Sequence, residues 1–375
     1  MYIFSPSQIL KLKILAEGIT VTNRAQQWLL EHANIAKLSS ADYASTSGVV
    51  LKLEGDVWVN APLQEYNPNF VDAPTSVLDV IDDGLYVSNG NLEARAWYCL
   101  QPAYHSSEEL ADLPKHIVVT HGDRVRLSPM TGCSYSCQFC DIPFSGIDYS
   151  LHPVDVCIKA LKTAAADCIQ PAQHIMISGG TPRESDAESH RALYREILAS
   201  FQDLPVDIMM VPLSNVFDID ELGKLGINEL SINLELHDEA RAKKLAPQKY
   251  QFGARHYLDF IEKAIERLGR GRVRSMLLVG LEPLESTLAG VKAIAERGAV
   301  PVLSPFRPDP STPLRDLRPP SYELMYEAYL RAQEIAVGYG VPLGPKCPPC
   351  THNTLSFGTD SHGNVVYPYS QPALL

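Results

Sequence analysis

The hydrophobic rhythm of the chain changes near residue 119. Before it, two helix-period patterns around 6–16 and 22–36 precede five strand-like runs at 49–53, 57–60, 77–81, 85–88 and 94–100. The turns Glu54-Gly55-Asp56, Asp82-Asp83-Gly84 and Asn89-Gly90-Asn91 separate these runs and suit tight reversals. Tight reversals join antiparallel neighbours, so residues 1–118 read as a small, mostly antiparallel α+β domain. The polar stretch 105–113 and Pro114 mark its expected end.

After residue 119, short apolar runs alternate with helix-period segments, the rhythm of βα units around a parallel sheet. Strands are expected at 124–128, 174–178, 207–212, 229–236, 273–280 and 300–304. Helices are expected near 153–168, 187–202, 218–225, 252–268 and 285–297. The clearest of them carries Tyr257, Ile261, Ala264, Ile265 and Leu268 on one face, with Gly269 placed to stop it. Six strands in this order predict an α/β fold, a (β/α)6 partial TIM barrel over 119–318. A further helix starts at Ser321 and runs to about Val337, and a proline-rich tail completes a helical and loop extension over 319–375.

Composition narrows the setting. A chain of 375 residues has room for one barrel-sized domain with an extension, or for two domains. Its 45% hydrophobic and 20% charged content is that of a soluble globular protein. No apolar run approaches the roughly 20 residues that span a bilayer, and residues 1–18 lack the pattern of a secretory leader, so cytoplasmic residence without membrane attachment is expected. A net charge of -12 argues against a nucleic-acid backbone as the main partner and leaves a small-molecule substrate as the expectation.

Eight cysteines in such a chain read as reduced thiols and metal ligands. Cys157 and Cys168 share a helix-period stripe with Val154, Ile158, Leu161, Ala164 and Ala165, and Cys99 lies in an alternating strand segment. All three are expected to be core thiols. Five cysteines in two clusters remain.

The first cluster is Cys133-Ser-Tyr-Ser-Cys137-Gln-Phe-Cys140. It follows the first barrel strand, at the end of a parallel sheet where functional groups gather. Gly132 gives the backbone freedom to turn there. Three thiolates without a nearby fourth Cys or His fit an iron–sulfur cluster with one open iron better than a closed zinc knuckle.

The second barrel strand ends in Ser178-Gly179-Gly180-Thr181, where paired glycines permit close backbone approach. In the fourth, strand period two puts Ser231, Asn233 and Glu235 on one face and Ile232, Leu234 and Leu236 on the other. Polar groups aimed into a barrel need partners, because a buried unpaired carboxylate is costly. His237, just beyond, is a candidate proton donor to substrate or an ordinary surface histidine. Arg307, after the sixth strand, offers a fork for a carboxylate or a surface salt bridge. The second cluster, Cys347-Pro-Pro-Cys350-Thr-His352, can take a metal with His352 as third ligand, form a redox pair, or bind a thiophilic species. If the tail covers the barrel mouth, this dithiol faces the substrate.

The C-x3-C-x2-C spacing, with Phe139 just before the last cysteine, resembles the radical S-adenosylmethionine (SAM) superfamily, and the resemblance extends over roughly residues 120–310. It implies a [4Fe–4S] cluster on Cys133, Cys137 and Cys140 whose open iron binds SAM. It also implies that Ser178, Gly179, Gly180 and Thr181 form the turn whose backbone holds the SAM amino group. Ser231, Asn233 and Glu235 would hold its ribose or methionine end, Val279 and Gly280 would lie against adenine, and Arg307 would take a carboxylate of SAM or of the substrate. A flavodoxin or ferredoxin-type donor would supply the electron for cleavage to a carbon radical. The texture of 280–308 is similar to the branch containing biotin synthase and methylornithine synthase, which implies a small, amino-acid-like or carboxylated substrate. A second outcome is a 3-amino-3-carboxypropyl radical passed to an acceptor held by Cys347 and Cys350. A third is a non-catalytic electron carrier in which one of these two thiols is the fourth cluster ligand. The catalytic candidates are His237, Cys347 and Cys350.

Overall fold

A computed structural model describes residues 4–35, 38, 48–105, 117–213, 216, 218–357 and 372–375. Beyond residue 105, the expected boundary at 105–114 lies outside the described residues, as does the last residue of the expected helix 22–36.

Helix α1 (Pro6–Glu17) starts at a capping box in which Ser5 and Gln8 exchange bonds, with proline at its first position. Leu10, Lys11, Leu12, Ile14 and Leu15 are all fully buried, because α1 is covered on several sides. After β1 (Thr20–Val21) and α2 (Asn23–Ala33) come β2 (Val49–Leu53), β3 (Val57–Ala61), β4 (Val77–Ile81), β5 (Gly84–Asn89) and β6 (Leu92–Tyr98). They form one six-stranded sheet in the order β1-β4-β5-β6-β2-β3, antiparallel except for the β1–β4 pair. The β4–β5 hairpin turns through Asp82 and Asp83, both at positive φ, as a two-residue primed turn requires.

The second sheet contains β7 (Val118–His121), β8 (Arg124–Leu127), β11 (His174–Ile177), β12 (Val206–Met209), β13 (Leu230–Ser231), β14 (Val273–Val279) and β15 (Val300–Pro305), and a separate short pair, β9 (Met130–Thr131) and β10 (Ser150–Leu151), sits above it. From β8 to β15, six strands run parallel in sequence order, the expected (β/α)6 arrangement. The unexpected element is β7, which closes a hairpin on the outer side of β8 through Gly122 and Asp123.

Helices α3 (Val154–Ala165), α4 (Ala187–Ser200), α5 (Ile219–Lys224), α6 (Glu239–Leu245), α7 (Gly253–Leu268) and α8 (Leu284–Ala295) connect the strands, and α9 (Tyr322–Gly338) packs on α8. Sequence periodicity misses α6 because only Ala242 of its residues is buried, which leaves no apolar stripe; Asp238 caps it by accepting from the Arg241 N–H. Helix α3 stops before Cys168, so that thiol is exposed in the following turn and not in the core, whereas Cys157 and Cys99 are buried.

The expected strand at 229–236 is also shorter. Pairing stops after Ser231, the Leu234 N–H donates to the Ser275 hydroxyl, and Glu235 takes a left-handed conformation with φ 65°. The ladder touches again only at a bridge between Glu235 and Leu277.

The described part of the tail up to residue 357 lies at the other end of the barrel from its mouth. Gly344 bridges to Val302 beside β15, Lys346 donates to the Gly271 carbonyl just before β14, and Cys350 meets His174 at the first residue of β11. It therefore closes the barrel from the N-terminal ends of the strands.

No helix among the described residues is long and apolar enough to cross a membrane. Burial holds His190 of α4 down at about 4 from its ordinary 6.5. A histidine depressed in the fold costs stability wherever the unfolded chain takes the proton first. Stability should therefore fall as pH drops from 6.5 toward 4, by about 3 kcal/mol at most. His190→Phe should flatten this limb of a denaturation series.

Candidate functional site

A cavity of about 350 Å³ runs inside the barrel. Cys133, Cys137, Phe139 and Cys140 line its upper wall beside Ser178, Gly179, Gly180 and Thr181. Ser231, Asn233, Glu235 and Arg307 line its sides, and Cys350 and His352 lie toward its floor. These expected residues share one space although they come from five places in the chain.

Other expected residues are elsewhere. Strand alternation turns Met276 and Leu278 of β14 to the cavity, leaving Val279 buried on the opposite face. Gly280, at φ +104°, faces Pro320, whose Cδ would stand 3.2 Å from an added Cβ. His237 is absent from the cavity wall: its backbone N–H donates to Glu282, and its Cβ packs toward Gly290 of α8. Cys347 lies below the cavity, beside Asp123.

The cysteine loop is held from three sides. At its base, β9 pairs with β10 and Thr131 donates to the Asp148 carbonyl. Gly132 takes φ +66°, and a Cβ there would lie 3.0 Å from the Tyr149 backbone. Beyond it the Ser134 N–H donates to the Thr181 carbonyl, and the Gln138 N–H to the Leu245 carbonyl at the end of α6. The glycine turn serves this packing too, since a Cβ on Gly180 would meet the Gly132 carbonyl at 2.0 Å.

The N–H groups of Thr181 (3.1 Å) and Tyr135 (3.3 Å) point at Cys133 Sγ. Donors aimed at sulfur suit a thiolate ligand, so these residues fit a cluster held by three cysteines. Burial pushes the Cys137 thiol up to about 12 and Cys140 well above its ordinary value, so metal binding must displace protons from them.

Glu235 is paired with Lys249 at 2.6 Å, both largely buried. Removing one member of such a pair strands the other charge. Glu235→Gln should destabilise the chain by about 3 kcal/mol, and adding Lys249→Met should restore part of that, as read by chemical denaturation. Lys249 lies in a loop that carries no pattern to announce a buried charge. Arg124 and Arg126 also line the cavity, and here a signal existed, because both fall on one face of β8. Arg307 bonds the Asn60 carbonyl of β3 and the Asn353 side chain, so it is a buried link between the N-terminal sheet and the tail.

At the floor, Cys350 is held well below the ordinary thiol value. Burial opposes this and is outweighed by the hydrogen bond from Cys347 and by Arg124 and His174. Cys347 is pushed well above that value, first by burial and then by its neighbour. His352 is not part of this group; its Nδ1 lies against the Pro349 carbonyl.

The family model of the radical SAM superfamily matches residues 127–290. Bacteriochlorophyllide c C-7(1)-hydroxylase of Chlorobaculum limnaeum is 23% identical over 139 residues, 36% of this chain and 35% of that protein. The chain thus spans about a third of the length of that curated relative. Among solved structures, the FeFe-hydrogenase maturase HydG of Carboxydothermus hydrogenoformans aligns at 15% identity, covering 60% of this chain and 54% of that one, with a TM-score of 0.47. A radical SAM methyltransferase from Sphaerobacter thermophilus aligns at 16% identity, 75% and 79% coverage and a TM-score of 0.45. Methylornithine synthase (PylB) aligns at 15%, 65% and 82%, and 0.43. The family match begins at the last residue of β8, takes in the cysteine loop and ends within α8, so this part of the barrel is similar to the radical SAM superfamily.

Proposed function

We propose that the chain is a radical SAM enzyme that holds a [4Fe–4S] cluster on Cys133, Cys137 and Cys140 and acts on a small, amino-acid-like or carboxylated substrate. The observation that carries this reading is the shared cavity wall, on which the cysteine loop and the Ser178–Gly179–Gly180–Thr181 turn are bound to one another. When bound, the cluster and SAM supply reductive cleavage of a carbon–sulfur bond to a carbon radical.

The chain's own residues bind, orient and shield. Gly179 and Gly180 line the cavity beside the cysteines and would meet an amino group with their backbone, while the Thr181 backbone is bonded to Cys133 and Ser134. Ser231 donates to Asn233 at 2.8 Å, which fixes the amide to face a ribose or a carboxylate. Glu235 offers a carboxylate whose charge Lys249 balances. Met209, Met210, Met276 and Leu278 supply apolar wall that excludes water. A flavodoxin or ferredoxin-type donor is the electron source this reading requires. Residues 119–318 would act as the catalytic barrel, and the described tail residues Pro345, Cys350, His352, Asn353 and Thr354 as part of its floor.

The rival outcomes give Cys347 and Cys350 a role beside the cluster. A strand of four residues is about 13 Å long, and these thiols lie at its opposite end from the cysteine loop, which favours the first reading. Anaerobic turnover of SAM with a chemical reductant tests it. Methionine and 5′-deoxyadenosine are expected, whereas methylthioadenosine would indicate the aminocarboxypropyl outcome.

A further inference from the structure

The β7–β8 turn, the start of β11 and the tail converge below the cavity. Gly122 takes φ +57°, and an added Cβ would stand 2.7 Å from Cβ of Pro349, so the turn leaves room for the tail as well as bending for it. Pro348 starts a 3-10 turn over Pro349–Asn353, and the Thr351 N–H donates to its carbonyl. Cys347 stands just before this turn and Cys350 within it, and their side chains are hydrogen-bonded to each other. Lys11 of α1 fixes the segment from below, its Nζ donating to the carbonyls of Thr351 (2.8 Å) and Ser356 (2.6 Å).

Four donor groups meet here. Asp123, His174, Cys347 and Cys350 are all buried, and their ligand atoms lie within 4.8 Å of one another. Cys350 Sγ is 3.5 Å from His174 Nε2, and Cys347 Sγ is 3.8 Å from Asp123 Oδ1. A tetrahedral zinc site with bonds of 2.0–2.3 Å sets its ligand atoms about 3.3–3.8 Å apart, so these edges are already close to that size. Asp123 is 1% exposed, and its Oδ2 accepts no hydrogen bond from any described residue. A buried carboxylate with a bare oxygen is costly and calls for a cation. The basic groups that act on Asp123 are Arg124, its neighbour in the chain, and His174, itself one of the four, whose Nδ1 stands 3.9 Å from Oδ1.

We propose that Asp123, His174, Cys347 and Cys350 bind one zinc ion in a closed tetrahedral site that ties the tail to the N-terminal ends of β8 and β11. Two thiolates, one imidazole and one carboxylate form a mixed donor set suited to zinc. The cluster proposed on the upper loop has three cysteines, and clusters with every iron ligated by protein have four cysteines or two cysteines with two histidines; this site has two cysteines, one histidine and one carboxylate. Four protein ligands leave no open position, so the ion is structural: it seals the floor of the barrel while the cysteine loop faces the other end. Binding displaces the remaining thiol protons to solvent and involves no redox change.

The test uses the full chain with Cys133, Cys137 and Cys140 all changed to serine, which removes the upper site and makes its fate irrelevant to the count. Elemental analysis should find one zinc per chain, and X-ray absorption should show two sulfur and two nitrogen or oxygen neighbours. Adding Cys350→Ser should take the zinc content from one toward none. Should that variant not fold, the triple-serine chain with its tail cysteines intact, stripped by a chelator and titrated with Co2+, should show the visible absorption of a tetrahedral thiolate site, bleached by added Zn2+. A metal-free protein, iron in place of zinc, zinc retained in a folded Cys350→Ser variant, or Co2+ without a tetrahedral spectrum would each overturn the proposal.

Discussion

Replacing Cys137 with alanine is expected to leave a folded, colourless chain that no longer cleaves SAM. The cysteine loop has only three thiols facing the cavity, and an open iron requires all three as ligands. The fold should survive because other bonds hold the loop: Thr131 to Asp148, Ser134 to Thr181 and Gln138 to Leu245 do not involve the Cys137 side chain. Loss of deoxyadenosine production by about 1,000-fold or more corresponds to at least about 4 kcal/mol of barrier. Iron content, absorbance and circular dichroism measured together separate this from unfolding. Retained iron with normal turnover would remove the loop from the chemistry.

The second large effect comes from a residue that is not a ligand. Gly180→Ala places a methyl group 2.0 Å from the Gly132 carbonyl and 3.0 Å from Cys133 Cα. Both are backbone, so no side chain can rotate away, and either the cysteine loop or the glycine turn must move. Forced overpacking typically costs about 1–3 kcal/mol, and here the displacement falls on the segment that carries Cys133. The prediction is a chain with all eight cysteines, near-normal circular dichroism and several-fold less iron after anaerobic reconstitution. Gly179→Ala should be milder in contact, since its nearest neighbour is the Ser128 side chain at 3.2 Å, but it is strained by φ +137°. Full iron loading in Gly180→Ala would show that the two segments adjust independently.

What could be read from the sequence was what depends on neighbours along the chain. The strands Val49–Leu53 and Val77–Ile81 follow from alternation between turn residues, and α7 from an apolar stripe ended by Gly269. The parallel order follows from the repeated βα rhythm. Features set by tertiary contacts were not visible. Glu235 takes φ 65° where it pairs with Lys249, and a period-two reading extends the strand straight through it. The choice between Val279 and its neighbours depended on register, and Met276 and Leu278 have the cavity face. The tail spelled out its two cysteines plainly, yet nothing local says which end of a barrel a tail will close. Asp123 and His174 lie 224 and 176 residues from their thiol partners, and only the fold brings them together.

Under the proposed function, three cysteines hold a cluster with one iron left for SAM. Electron paramagnetic resonance of the reduced, anaerobically reconstituted chain, recorded with and without SAM, tests it most directly. A [4Fe–4S]+ signal whose g-values shift when SAM is added is the expected result. A signal unchanged by SAM would mean that the iron is not open and would contradict the account.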